Sequence, residues 1–245
     1  MTRLTTHLTL TPDAPMDLHM HTTYSDGRWP AQQLIDYLVN EGFDLVAVTD
    51  HDRVDMVANT QALAAAKNLP VLAGVEMSTQ WNGQMGHMLC YGFDPENNYL
   101  SAVTQNVVRS QLENTHAVHD ELVRRGHTFP REAEVLAEND GKLRRPADNG
   151  RLLREHGYAA DWQTALRMIR EAGFHSIMAN MAETVEAAHR SGAFASLPIL
   201  VAASTILPSM TRLCSMRYVP RYLSTASRST ILTIHLRSSK PIWLM

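Results

Sequence analysis

Cysteine is nearly missing from this chain: Cys90 and Cys214 are the only two in 245 residues, too few for a disulfide framework of the kind that staples small secreted domains. No charged N-terminal segment leads into an apolar stretch, so nothing reads as a secretory signal and a cytoplasmic location is the expectation. The apolar tail run Leu197-Pro-Ile-Leu-Val-Ala-Ala-Ser-Thr-Ile-Leu-Pro208 is bounded by proline and falls short of the ~20 apolar residues of a membrane helix, so no membrane partner is expected. Lys and Arg do not gather into dense runs interleaved with aromatics, so the sequence gives no strong sign of duplex nucleic-acid binding, although a basic tail could touch nucleic acid or a partner. The serines lack a nucleophile-elbow setting. Cys90 lies in an apolar run where packing explains it better than catalysis, since nothing beside it would stabilise a thiolate. Acidic residues are missing from the last quarter: the final one is Glu186, and the 59 residues from Ala187 to Met245 hold seven of the 22 Lys and Arg. Net charge therefore splits as 15 − 25 = −10 up to residue 186 and +7 beyond it, a compositional break.

What is present is concentrated near the N-terminus. Asp17-Leu-His19-Met-His21-Thr-Thr-Tyr-Ser-Asp26-Gly27 gathers two imidazoles and two carboxylates within ten residues. Met16, Leu18 and Met20 alternate with Asp17, His19 and His21, the period-2 pattern of a strand. On such a strand His19 and His21, spaced i, i+2, leave the same face and can converge on one ion. A Ser-Asp-Gly turn can fold Asp26 back over them as an oxygen ligand. A surface strand that happens to carry two histidines is the other reading of His-x-His alone.

The pattern recurs. After a helix-like stretch from Pro30 to Glu41, Asp44-Leu-Val-Ala-Val-Thr-Asp50-His51-Asp52 is an apolar run ending in three ionisable residues; Pro70-Val-Leu-Ala-Gly-Val-Glu76-Met-Ser78 ends in a glutamate. Val54 to Lys67 between them is helical in composition and period. Strand, helix, strand, helix, strand with polar residues at strand C-terminal ends predicts a parallel α/β fold with its site at those ends. In Gly86-His87-Met-Leu-Cys-Tyr-Gly-Phe93 the histidine stands at the start, as a ligand or as a polar residue at a strand edge.

Asp17-Leu-His-Met-His-Thr-Thr-Tyr-Ser-Asp-Gly27, Val48-Thr-Asp-His-Asp52 and Gly74-Val-Glu-Met-Ser78 resemble, in order and spacing, the first three motifs of the polymerase and histidinol phosphatase (PHP) family. The resemblance is close over roughly the first hundred residues, continues more loosely to about Gly192 and then stops. It implies an α/β fold, a distorted (β/α)7-type barrel with a helical insertion, here incomplete at its C-terminus. It also implies two or three divalent metal ions at the barrel mouth and hydrolysis of phosphate esters. By position His19, His21, Asp26, His51, Glu76 and His87 match the family's metal ligands, with Glu76 where a bridging carboxylate commonly sits. Asp17, Asp50 and Asp52 then read as residues behind the ligands or at strand ends, which orient the imidazoles by accepting their other N–H.

Ligand type alone says something about the metal. Mixed imidazoles and carboxylates suit zinc, manganese or iron(II), whereas magnesium would want more oxygen. Such ions lower the pKa of bound water, and two of them about 3.5–4 Å apart clamp attacking and leaving oxygens, so the expected nucleophile is water rather than a side chain.

Along the chain the expected division is residues 1–97 as the barrel part bearing the motifs, 98–179 as a helical insertion or cap, 180–197 as a return to the barrel and 198–245 as an atypical basic tail. Helices are expected over Asn98 to Arg125, Glu132 to Ala137, Gly150 to His156, Asp161 to Glu171 and Met181 to Arg190. His116 and His119, i, i+3 on the long helix, face either an ion or solvent. Arg144 and Arg145, with Arg151 and Arg154 beyond, are candidates to grip a substrate phosphate or a plain exposed basic cluster.

Family members typically continue a segment like Ala187 to Leu197 with a strand ending in His-Pro-Gly, where this chain has Pro198-Ile-Leu-Val201. If Leu-Pro-His-Pro-Gly is written CTG CCG CAT CCT GGT, loss of the first C of CAT gives Leu-Pro-Ile-Leu-Val, which predicts a frame disruption near Ile199. Translating the gene in the neighbouring frame after Pro198 tests it: with no His-Pro-Gly there and no later Asp-x-His, the idea fails. The family's remaining ligands, a histidine in that strand and an Asp-x-His pair, have no counterpart here, and His235 is the lone tail histidine. The expected function is metal-dependent phosphoester hydrolysis on a small phosphorylated metabolite, a nucleotide or an RNA end. The alternative is an impaired barrel that binds metal without efficient turnover.

Overall fold

The structure, a computed structural model, describes residues 7–11, 13–139, 143, 145–197 and 232–235. The expected frame break near Ile199 and the tail beyond it lie outside these residues, save for strand β8 (Leu232–His235), which pairs antiparallel with β1 (His7–Leu10). By its Cα packing the chain divides into two compact units, residues 1–104 with 179–245, and residues 105–178.

In the first unit, β2 (Met16–Met20) and β3 (Leu45–Val48) run parallel, joined by helix α1 (Ala31–Asn40). α1 buries Ala31, Leu34, Ile35 and Leu38, the i, i+3, i+4, i+7 stripe of an amphipathic helix. It stops before Gly42, whose φ of +75° suits glycine rather than a residue with a Cβ. β3 is buried at all four residues, as a strand covered on both faces must be, hence its unbroken Leu-Val-Ala-Val. A short 3₁₀ turn (Val54–Met56) and α2 (Val57–Ala65) lead to a parallel bridge between Val46 and Val71. Leu34, Ile35, Leu38, Val46, Val48, Ala64 and Leu69 form the core under this crossover.

The expectation that polar residues end parallel strands holds for Asp50-His51-Asp52 after β3 and fails for Glu76, and the expectation that His87 begins its strand fails as well. Glu76 is the third residue of β4 (Gly74–Trp81), which continues to a hairpin and returns as β5 (Gln84–Tyr91), antiparallel. The turn residues Asn82 and Gly83 both have positive φ, 49° and 75°, the Asn-Gly pair favoured in a two-residue hairpin of this twist. His87 is thus the fourth residue of a central strand, paired with Ser78, and not a strand start.

Period two then sorts the hairpin. Val75 and Met77 of β4, with Met88 and Cys90 of β5, point into the main core with Phe93 and Leu100, so Cys90 serves as packing. Glu76, Ser78, His87 and Leu89 share the other face. β6 (Ala179–Asn180) joins β4 in parallel and β7 (Phe194–Ser196) joins β5 antiparallel, giving the order β6-β4-β5-β7, with α7 (Met181–Arg190) between them in sequence. A bridge between His51 and Glu76 links β4 to the end of β3. Among the described residues the strands form these sheets without closing into a barrel.

The second unit is helical. α3 (Leu100–Arg124) enters it at Gln105, followed by α4 (Glu132–Val135), α5 (Pro146–Glu155) and α6 (Trp162–Glu171). Val118, Leu122, Leu153, Ala165 and Ile169 form its core. α6 begins at Asp161, whose carboxylate accepts the Thr164 N–H, an N-cap. No helix among the described residues is long and apolar enough to cross a membrane.

Candidate metal centre

Glu76 is the hub. Its N–H donates to the Thr49 carbonyl and its own carbonyl accepts the Asp52 N–H, so the backbone of β4 is pinned to the end of β3 on both sides of the residue. With that register fixed, the carboxylate, buried to 3% exposure, faces imidazoles from four directions. Oε2 lies 2.6 Å from His19 Nε2, 3.1 Å from His21 Nε2 and 3.9 Å from His51 Nε2, while Oε1 lies 2.8 Å from His87 Nδ1. The rings pack on one another: His21 stacks on His51 with centroids 4.7 Å apart, and His19 and His87 meet their neighbours edge-on.

Asp26 arrives on a tight loop. Ser25 and Gly27 donate their N–H groups to the Thr22 carbonyl, and Thr23 to that of Trp29. A Cβ on Gly27 would stand 2.2 Å from the His21 carbonyl oxygen, so only glycine lets the loop close this far. Asp26 Oδ1 then stands 3.6 Å from His21 Nδ1 and Oδ2 3.7 Å from His51 Nε2. These spacings are long for hydrogen bonds but close to the ~3.4 Å separating two donors on one ion with bonds of about 2.0–2.2 Å.

The three aspartates expected to hold the imidazole N–H groups do something else. Asp50 accepts from the Thr22 N–H, the Thr22 hydroxyl and the Ser25 hydroxyl, each at 2.7 Å. Asp17 accepts the His19 backbone N–H at 3.0 Å and Asp52 the Ser78 N–H at 2.9 Å. They fix the backbone that carries the ligand side chains rather than the rings themselves, because amide and hydroxyl donors beside them need acceptors. Asp52 also adopts a left-handed φ of 53°, uncommon for a residue with a Cβ and a mark of functional sites. The Ser25-Asp26-Gly27 turn was legible in the sequence, whereas the parts played by Thr22 and Ser78 were not, since they depend on which segments meet Asp50 and Asp52 in space. Arg53, which donates to the Tyr24 carbonyl at 2.8 Å and lies over its ring, carried no sequence cue either.

Electrostatics follow from this crowding. Burial pushes the Glu76 carboxyl up, but hydrogen bonds from His21, His87 and His19 outweigh it and leave the group well below the usual carboxylate range. Burial lowers His21, yet the bond to Glu76 and the charge of Asp26 leave it raised. His87 is raised by its bond to Glu76 against the effect of burial. At His51 burial prevails and the pKa falls, which favours the neutral ring. Burial lifts Asp52 to about 6 and Tyr91 to about 12.

The residues fit divalent ions. His21 Nδ1 and His51 Nδ1 are buried without a hydrogen-bond partner, a costly state unless something else takes the lone pair. Three overlapping sets have donor atoms mutually within 4.8 Å: His19, His21 and Glu76; His21, Asp26 and His51; and His51, Glu76 and His87. Of the other candidates, His119 lies against Glu132 at 3.2 Å and Phe129, and His116 is exposed; neither belongs to these sets. Arg145 Nη2 lies 3.4 Å from the buried Asp148 carboxylate, and Arg144 lies outside the described residues.

The family model for the PHP domain matches residues 17–174. A 3',5'-nucleoside bisphosphate phosphatase of Chromobacterium violaceum is 35% identical over 100 residues, which is 41% of this chain and 35% of that protein. A 5'-3' exoribonuclease of Haemophilus influenzae is 27% identical over 184 residues, 73% of this chain and 66% of that protein. The chain thus matches about a third of one relative's length and just under two thirds of the other's. Among solved structures, an amidohydrolase from C. violaceum with bound sulfate and no metal superposes with a TM-score of 0.64 at 25% identity, covering 82% of this chain and 72% of that one. A protein described as a metal-dependent phosphoesterase from Bifidobacterium adolescentis gives 0.62 at 20% identity, covering 77% and 68%.

Proposed function

Since the chain belongs to the PHP domain family, with 158 of its 245 residues inside the match (174 − 17 + 1), we propose that it hydrolyses phosphate esters at the Glu76 cluster with the help of two or three divalent ions. His19, His21, Asp26, His51, Glu76 and His87 would hold them, manganese, zinc or iron(II) suiting the mixed nitrogen and oxygen donors. Bound there, such ions would acidify water near neutral pH and neutralise charge on a phosphoryl oxygen. The chain's own residues supply the frame. Glu76 offers one oxygen toward His19 and His21 and the other toward His87, so it can serve two centres. Asp50 locks the Thr22–Ser25 loop, which brings Asp26 over the imidazoles.

The substrate class is a small phosphorylated metabolite, a nucleotide or an RNA end, in keeping with the two named relatives. The full fold in this proposal is the distorted (β/α)7-type barrel with residues 98–179 as its helical insertion. One observation carries the proposal: four imidazoles converge on a single buried carboxylate. Elemental analysis of the wild type and of Glu76→Gln, with hydrolysis of an aryl phosphate in added manganese, tests it; wild-type protein that holds no metal and turns over nothing refutes it.

A second reading is favoured by the acid-free stretch after Glu186. The tail lacks the motifs that supply the family's remaining ligands, so the six donors here would bind metal weakly with slow turnover. Turnover in manganese matching that of intact relatives would remove this reading.

A further inference from the structure

A slip in the register of β2 leaves backbone groups that one neighbouring and one distant side chain take up. Asp17 pairs with Val46 and Met20 with Val48, so Leu18 and His19 fall in between without partner residues in β3. A bulge of this kind re-aims the side chain it carries. Here that side chain is His19, whose Nε2 stands 2.6 Å from Glu76 Oε2. The His19 N–H is taken by Asp17 at 3.0 Å, and the Leu18 carbonyl accepts a 2.7 Å hydrogen bond from the Tyr91 hydroxyl.

Tyr91 is well placed to do this. It ends β5, four residues after His87, opposite Gly74. A Cβ on Gly74 would stand 3.2 and 3.3 Å from Tyr91 Cδ1 and Cε1, and 2.9 Å from Thr49 Cγ2. The missing side chain at 74 is the notch through which the phenol passes β4 and the end of β3 to reach β2. The strand bearing His19 is thereby tied to the strand bearing His87 by one hydroxyl.

We propose that Tyr91 is a positioning residue for the metal centre: by holding the Leu18 carbonyl it fixes the bulge in β2 and aims the His19 imidazole at Glu76. The effect on ion affinity rests on the metal reading of the site; the effect on the ring does not.

Tyr91→Phe keeps the ring in its notch and removes the hydroxyl. In the metal-free protein the His19 ring resonance should move by NMR while that of His116, on α3, stays. Titration with Mn²⁺ should show affinity about 10-fold weaker, the loss typical of outer residues that orient a ligand. In a His19→Ala background the same change should alter Mn²⁺ affinity less than about 2-fold, because residues acting through one another are not additive. An unmoved His19 resonance, a full 10-fold loss in the His19→Ala background, or a Tyr91→Phe chain that fails to fold would each overturn the proposal, the last by making Tyr91 a core residue. Wild-type protein that ignores Mn²⁺ would refute the metal reading instead, and the His19 resonance would still decide the role of Tyr91.

Discussion

Glu76 and its four imidazoles set the protonation behaviour of the site. The pKa values of His21 and His87 are raised above the usual 6.5, so their stabilisation of the metal-free fold is fully present below 6.5 and fades as pH rises through the raised values. Glu76 is depressed below its usual 4.5, so its share is present above 4.5 and is lost as pH falls. Metal-free protein should therefore gain most from this cluster between 4.5 and 6.5, which thermal unfolding across pH would record. Ion binding asks for the opposite state. Neutral imidazoles are needed, so Mn²⁺ affinity should climb as pH rises through the raised His21 and His87 values, with protons released on binding. Calorimetry in two buffers of different ionisation heat measures that release; none at pH 6 would contradict the assignment. Gly27 makes a second test at this scale. Gly27→Ala forces a methyl into the His21 carbonyl, and is expected to destabilise by about 1–3 kcal/mol and to weaken Mn²⁺ binding through the displaced Asp26.

Among elements, the helices are the part most legible in the sequence. α1, α3, α6 and α7 lie within a residue or two of the stretches that their apolar spacing predicts, because each buries one stripe against a core. α5 begins earlier than expected, at Pro146, since proline suits a first helical turn and Asp148 accepts the Arg145 N–H there. The strands were legible as apolar runs but not in their direction. In sequence Glu76 reads as the end of a parallel strand because Met77 and Ser78 close its apolar run, whereas Asn82-Gly83 turns that strand back on itself. Gly83→Ala, at φ +75°, should cost on the order of 1 kcal/mol and shift His87 with it, so chemical denaturation and Mn²⁺ affinity should fall together. The donors themselves were legible as residue types. Their supports were not, since amide and hydroxyl partners such as Thr22 for Asp50 depend on which loops meet in space.

For the whole molecule, ligand linkage gives the simplest check. If the cluster binds Mn²⁺, adding it at a hundred times its Kd should stabilise the fold by about 2.7 kcal/mol, and a chelator should reverse the gain. An unfolding midpoint blind to both would count against any metal there. The second unit, which holds none of the six donors, gives an internal control. All six lie within the 69 residues from His19 to His87 (87 − 19 + 1), yet they hang from β2, the loops after β2 and β3, β4 and β5. A bound ion would therefore act as a cross-link stitching the ends of these segments together, closing loops of modest length at a cost that grows only slowly with their size. Limited proteolysis should register such stitching as slower cutting in the stretch from His19 to His87 and an unchanged rate in the helices beyond Gln105.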